Sequence, residues 1–431
     1  MGISTITAMR ILAGQQAGKP GEAHNLSFDK FEHVALVKTY NLDRQVADSA
    51  GTMTAIVTGH KANFGAISVG PSAPRGSCAP AQKVHLQSLL EKAEAAGFST
   101  GIVSTAKITH ATPAATYSHV TERDWEDDTR LPEQAVKEGC RDIARQLVEF
   151  DIGDGPDVIL GGGRAHFLPN DVNDPEYADK KGRRADGRHL VDEWLSGNKN
   201  RRYVWNAEQL ANLKPSGGQV MGLFEPSHMQ FEVDRKRDAS GEPSLAEMTN
   251  FAIAALQAKG KPFFLMVEAG RIDHGHHFGN AYRALHDGLA LDDAVAAAEQ
   301  QLDPSNSLIL VTADHSHTMT ISGYPRRGNP IFGVVENAPG EIMPNAQGNP
   351  YTVLSYANGL GYKKELPDLT EIDTQAHDYQ QLATVPLEVE THAGEDVAAF
   401  ATGVGAELVK GVMDQNELYH ALHQGLFGTS E

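Results

Sequence analysis

Short apolar runs separated by polar, glycine-rich turns recur along the chain, and stretches with helical periodicity lie between them. Pro262-Phe-Phe-Leu-Met-Val267 is a continuous apolar run, the pattern of a buried parallel strand, and Ser307-Leu-Ile-Leu-Val-Thr312 is another short apolar strand. Ser99–Ser104 and Asp157–Leu160 read the same way, and residues 33–40 alternate enough to form a strand. Helical patterns cover 2–14, 83–96, roughly 132–149, 244–259 and 279–300, the first two stopped by Gly14 and Gly97. Residues 396–427 read as mostly helical. This alternation predicts an α/β fold: a doubly wound, mostly parallel sheet with helices on both faces. A start on a helix, with no strand before it, is unusual for that architecture.

Two interruptions divide the chain. Residues 164–240 are polar and turn-rich, a surface region with one short strand at 219–224. Residues 322–391 are rich in Pro, Gly, Asn and Tyr and read as an inserted subdomain. The expected organisation is therefore a core over 1–321, an insertion over 322–391, and a return to the core with C-terminal helices over 392–431. There are no internal repeats.

Chemistry collects where the strands end. Glu268-Ala-Gly-Arg-Ile-Asp-His-Gly-His-His277 follows one apolar run and Ala313-Asp-His-Ser-His317 follows another. If the first segment turns helical, Asp273 and His277 share a face. A carboxylate oxygen and an imidazole nitrogen so placed suit Zn²⁺. A lone histidine past a strand is ordinarily a satisfied polar residue. Two acid–histidine clusters past two strands imply one shared site, because ligands of open α/β sheets gather beyond the carboxyl ends of the strands. Asp48-Ser49-Ala-Gly-Thr52 feeds a short helix, so Ser49 sits at a helix N-terminus, where it reads either as an N-cap or as the foot of an anion site. Gly161-Gly-Gly163 lacks the lysine of a phosphate-binding loop and reads as a turn.

Composition narrows the partners. The 431 residues are 40% hydrophobic and 22% charged, with a formal net charge of −19. That balance argues against a nucleic-acid partner, which needs a basic surface. An anionic substrate would need local positive charge from metals or arginine. No apolar stretch reaches the length of a membrane helix. Cys78 and Cys140 stand in no metal-ligand spacing and are either a disulfide or two free thiols.

Taken in order, Asp48-Ser49-Ala50, His110-Ala-Thr112-Pro, Glu268…Asp273…His277, Asp314-His315-Ser-His317 and Thr391-His392 resemble the alkaline phosphatases over almost the whole length. Met221-Gly-Leu-Phe-Glu-Pro226 and Arg271–His277 are similar to the animal-type branch, as is the segment before His392, which resembles that branch's crown subdomain at a dimer interface. The resemblance implies a phosphomonoesterase that works through a phosphoserine. It implies Ser49 as nucleophile and Arg123 as phosphate clamp, with Asp48 beside the nucleophile. It implies two zinc ions, one held by Asp273, His277 and His392 and the other by Asp314 and His315. It also implies a magnesium at Thr112 and Glu268, with His110, His274 and His317 in outer positions. Glu176, the carbonyl of Phe224, Glu225 and Glu242 resemble the branch's extra calcium site, although the loop before Glu242 differs in length and Glu replaces the usual Asp. A homodimer in the periplasm or outside the cell is the further implication, although no signal peptide stands at the start of the chain.

One departure stands out. The family opens on an apolar strand ending in Asp-Gly-Met-Gly, whose Asp bridges the second zinc and the magnesium, and here Met1-Gly2 match only the last two residues. The expectation is a native chain extending upstream through that strand, preceded by an export signal. The 431-residue form would then be poorly stable, low in the second zinc and magnesium, and nearly inactive. Related alternatives are a phosphodiesterase or sulfatase of the same superfamily, or a catalytically impaired metal- or phosphate-binding form. Arg123 and the Thr112/Glu268 pair favour monoesters, because they make room and charge for a terminal dianion.

Overall fold

The computed structural model describes residues 1–215 and 218–428. The apolar runs become strands β1 (His33–Lys38), β2 (Ser99–Lys107), β3 (Val158–Gly162), β5 (Val220–Leu223), β6 (Phe263–Glu268) and β7 (Leu308–Thr312); β4 (Arg202–Val204), within the polar region read as holding only the 219–224 strand, and the late β8 (Val397–Gly403) and β9 (Gly411–Asp414) complete the set. β4-β5-β3-β2-β6 form a wholly parallel sheet. β9-β1-β8-β7 form a second sheet, in which β8 runs antiparallel to both β1 and β7. The fold is thus mixed α/β with a parallel central sheet, as the alternation predicts. It differs in being built from two sheets: among the described residues no strand pairs with the outer edge of β6 or of β7.

The helices cover these sheets. They are α1 (Ile3–Gln16), α2 (Ser49–Thr58), α3 (Leu245–Gln257), α4 (Arg271–His277), α5 (Ala281–Gln301) and α6 (Leu418–Phe427), with shorter turns between them. Ser244 and Glu247 cap α3 reciprocally, and α3 buries Leu245, Met248, Ala252 and Leu256 in one core with Val103, Val158 and Leu160. Each such side chain stabilises the fold by roughly 1.5–3 kcal/mol when fully buried. α4 packs against α5 so closely that a Cβ on Gly275 would stand 2.6 Å from the Ala284 backbone nitrogen. Only glycine lets the two helices approach this far.

The structure corrects three readings. Residues 396–427 are not mostly helical, because they form β8 and β9 before α6. The alanine-rich Val397-Ala-Ala-Phe-Ala stretch has good helix propensity, but pairing on both sides, with Ala399 opposite Ala35 and Thr312, overrides it. The helix expected over 83–96 is confined to Leu89–Ala95, started by a Ser88–Glu91 capping box. The one expected over 132–149 is two, Glu133–Lys137 and Ile143–Val148, broken where Gly139 takes a left-handed φ of 78° and Asp142 caps the second. Cys78 and Cys140 form a disulfide. Within 322–391, Leu354–Gly359 pairs with Ala383–Pro386 and with Met319–Ile321, so the insertion is stitched to the chain just past His317.

Candidate active site and metal centre

The carboxyl ends of β2, β6 and β7 deliver the polar groups. β6 ends on Glu268, directly opposite Ser104 of β2, and the Ser104 hydroxyl donates to the Glu268 carboxylate. Two residues past β6 the chain enters α4, which carries Asp273, His274 and His277. Past β7 come Asp314, His315 and the two-residue strand Ser316–His317, whose partner strand places His392 opposite His317. Three segments distant in sequence therefore meet at Asp273. Its carboxylate lies 2.8 Å from His317 Nε2, 3.3 Å from His277 Nε2, 3.3 Å from His392 Nε2 and 3.9 Å from His315 Nε2. Desolvation alone would raise the Asp273 carboxyl, but the His277 and His317 rings overcome it and hold it well below the usual range.

The outer nitrogens of these rings fix their chemistry. His277 Nδ1 donates to the Glu390 carbonyl at 2.6 Å, His392 Nδ1 to the Ala47 carbonyl at 2.7 Å, and His315 Nδ1 to the Ser316 carbonyl at 3.3 Å. With Nδ1 donating outward, each ring turns Nε2 inward, which is how metal-ligating histidines are held. His277 Nε2 and His392 Nε2 stand 3.2 Å apart, and with Asp273 they make an N₂O donor set suited to zinc. His317 differs. Nε2 contacts Asp273 and Nδ1 contacts Glu390 at 2.7 Å, so both nitrogens face carboxylates. Burial opposes charge on this ring, yet the two acids hold its pKa up at about 8. Its contacts with both acids brace Asp273 in place.

Ser49 is the first residue of α2, and its Oγ lies 3.0 Å from His315 Nε2. Asp48, not Ser49, caps the helix by accepting from the Gly51 N–H at 3.3 Å. The other Asp48 oxygen holds Arg123 Nη1 at 3.1 Å, which brings the arginine beside the serine. Asp314 lies 3.2 Å from His315 Nε2 and accepts from Thr52 at 3.3 Å. Glu268 stands behind, accepting from the Ser104 hydroxyl, with Thr112 close enough to favour its charged form. Burial, with added repulsion from Asp314 and Asp273, pushes its carboxyl up to about 7 despite those donors. A buried carboxylate in want of a cation, next to hydroxyl oxygens, fits a hard divalent ion such as Mg²⁺. His110 and His274 lie on the Arg123 side, where the Arg123 Nη2 donates to His110 Nε2 at 3.1 Å.

Residues that sequence reasoning missed come from loops. Glu390 is fully buried and accepts from His317, from the Thr318 backbone at 2.6 Å and from the Thr318 hydroxyl at 2.8 Å. Its position directly before Thr391-His392 was the available signal. His228 joins His110 and His274 in a cluster of rings. In the acidic group, one carboxylate oxygen each from Glu176, Glu225 and Asp238 lie within 4.8 Å of one another, so Asp238 is a member the sequence did not reveal. Glu242 stands next to this group, accepting from the Gln230 N–H through both oxygens. Phe224 precedes Glu225 on the same strand end.

Acids and histidines that could together hold a metal ion thus gather beyond the carboxyl ends of the strands. The chain belongs to the alkaline phosphatase family, whose sequence profile matches residues 1–426. It is 44% identical over 431 residues to an alkaline phosphatase of Gadus morhua, covering 98% of this chain and 88% of that protein. It is 45% identical over 432 residues to the tissue-nonspecific isozyme of Homo sapiens, covering 98% and 81%. The fold is similar to that of the Thermus thermophilus alkaline phosphatase, at 23% identity and a TM-score of 0.71, covering 100% of this chain and 90% of that one. The enzyme from the Antarctic bacterium TAB5 superimposes with a TM-score of 0.67 at 21% identity, covering 100% and 96%. The chain is accordingly a phosphoric monoester hydrolase.

Proposed function

We propose that hydrolysis runs through a phosphoserine at Ser49, in a site built for two zinc ions and one magnesium. Asp273, His277 and His392 would hold one zinc, Asp314 and His315 the other, and Thr112 with Glu268 the magnesium. When bound, these cations supply Lewis acidity and lower the pKa of the attacking hydroxyl and water. The protein's own part follows from its geometry. Ser49 Oγ attacks phosphorus, the bond to the ester oxygen breaks, and the alcohol leaves; water then cleaves the serine ester and releases inorganic phosphate. Arg123, held by Asp48, presents a planar fork to two non-bridging oxygens, which a lysine would not match. The N-terminus of α2 favours the negative charge that Ser49 would carry.

The observation that carries this reading is the placement of Ser49 Oγ 3.0 Å from His315 Nε2, with Arg123 one residue away on Asp48. Acid quench during turnover of a ³²P-labelled monoester should trap label on the peptide containing Ser49. Label found only elsewhere would overturn it.

The Glu176, Glu225 and Asp238 carboxylates support a separate calcium site, with Glu242 and the Phe224 carbonyl at its edge. The disulfide supports a periplasmic or extracellular location. Tyr324, 94% exposed, together with exposed Val385, Leu387 and Val389, gives the insertion an apolar surface that supports a homodimer.

A further inference from the structure

The glycine run Gly161-Gly-Gly163 at the end of β3 places a histidine. A Cβ on Gly162 would stand 2.2 Å from the Ser227 carbonyl oxygen, and Gly163 takes a left-handed φ of 100°. Both positions therefore need glycine, and they lead the chain into a single 3₁₀ turn, Arg164–Phe167, in which His166 is 4% exposed. His166 faces Glu126 and Asp127, two adjacent acids in the loop that carries Arg123. Its Nδ1 donates to Asp127 Oδ2 at 2.7 Å, and its Nε2 lies 3.5 Å from Glu126 Oε2. Among the described residues it is the one side chain in contact with both acids. Asp127 also accepts from Arg183 Nε at 2.8 Å and from the Thr129 N–H at 3.0 Å. Glu126 also pairs with Lys107 and accepts from the Thr109 hydroxyl at 2.6 Å. Between Arg123 and Asp127 the chain has no helix or strand, so side chains fix its path. The Arg123 N–H donates to the Gly65 carbonyl at 2.9 Å, which holds one side of the arginine. Buried Trp125 gives the other side an apolar anchor, and the His166 contacts give it a polar one.

We infer that His166 is a positioning residue for Arg123: by contacting both Glu126 and Asp127 it fixes the loop whose arginine grips the phosphate. The inference rests on the reading of Arg123 as the phosphate clamp and deepens it. A clamp works through placement, since an error of about 1 Å can cost as much as about 10²-fold in rate. Each acid keeps other partners when His166 is removed, so the loop loses its tie while both carboxylates stay satisfied.

The test uses the metal-loaded enzyme, with p-nitrophenyl phosphate as substrate and inorganic phosphate as competitive inhibitor. In His166→Leu, KM and the phosphate Ki should rise together by about five- to tenfold, with kcat within about twofold, because the clamp holds substrate and transition state alike. Zinc content should not change. His166→Asn puts an amide N–H where Nδ1 was and should recover most of the loss. If His166→Leu does not fold, His166→Gln, which gives up the Nδ1 donor, takes its place. In an Arg123→Ala background the same substitution should move KM and Ki by less than about twofold, since the group being positioned is gone. Equal effects in the two backgrounds would overturn the inference and leave His166 a merely structural residue. So would a phosphate Ki that His166→Leu leaves unchanged, or an Asn variant no better than the Leu one. Arg123→Ala that by itself binds phosphate as tightly as wild type would overturn the clamp reading, and the inference with it.

Discussion

Ser49 Oγ and His315 Nε2 stand 3.0 Å apart, and the ring is oriented by an Nδ1 contact to the Ser316 carbonyl rather than by an acid. A serine–histidine pair of this length could be read as nucleophile and general base. Asp314, 3.2 Å from the same nitrogen, fits the proposed shared metal corner instead. The two readings separate by substitution. Ser49→Ala should lower kcat by about 10³ or more with zinc content unchanged, since only the nucleophile is lost. His315→Ala should lower both turnover and zinc content. Steady-state assays paired with elemental analysis check this.

Asp273 is the anion on which rings from three separate segments converge. Asp273→Asn keeps the shape but removes the charge that draws His277, His392 and His317 together. The expected result is loss of about one zinc per chain and at least a 10²-fold fall in kcat/KM, roughly what loss of a ligand or its support costs in metal sites. Elemental analysis after dialysis against excess zinc measures it. Retention of full zinc would remove Asp273 from the donor set.

How far the sequence led is clearest in α4. Asp273, His274 and His277 lie within one helical turn of each other, directly after an apolar strand, so spacing alone placed them at a sheet's end. Asp314 and His315 were legible for the same reason. His228, Asp238 and Glu390 were not, because each comes from a loop whose approach to the site is set by tertiary packing, with no local period to betray it. Four strands of the parallel sheet announced themselves as apolar runs, whereas β4, the short edge strand Arg202-Tyr-Val204, did not. β8 did not, since alanine fits a helix as well as a tightly packed strand, and only its neighbours β1 and β7 decide. The division into two sheets was invisible too: hydrophobic pattern gives strands but not which edges pair.

The Glu176–Glu225–Asp238 group makes a pH-dependent prediction. Burial first, then repulsion among the acids, raises Glu176 to about 7 and Glu242 to about 9, and Glu225 also lies above its ordinary value. Near neutral pH the group is therefore partly protonated, and a cation must displace those protons. Calcium affinity should rise from about pH 6 to about pH 9, with proton release detectable by calorimetry in buffers of different ionisation enthalpy. Calcium added to chelator-treated protein should raise Tm, and Asp238→Asn should abolish that rise. A Tm indifferent to calcium at every pH would remove the site.

Asp287 tests the core beside the site. It is 3% exposed on α5, and burial pushes its carboxyl up to about 8 against the opposing pull of Arg271 and the Glu232 N–H, which donates to it at 3.2 Å. The unfolded chain ionises this group near the ordinary carboxyl value of 3.8, whereas burial in the folded protein raises it to about 8. An acid with a raised folded pKa opposes folding once the unfolded form is charged. Its penalty is absent below the unfolded pKa, grows as pH rises between the two values, and is complete above the folded one. Asp287→Asn keeps an oxygen to accept from Glu232 and cannot ionise. Relative to wild type, its stability should therefore improve as pH rises from about 5 to about 9, reaching a Tm advantage of about 2–4 °C at the alkaline end. Thermal melts across that range measure it. A difference that is flat with pH, or that shrinks toward alkaline pH, would show that Asp287 is already ionised in the folded protein and that Arg271 balances it.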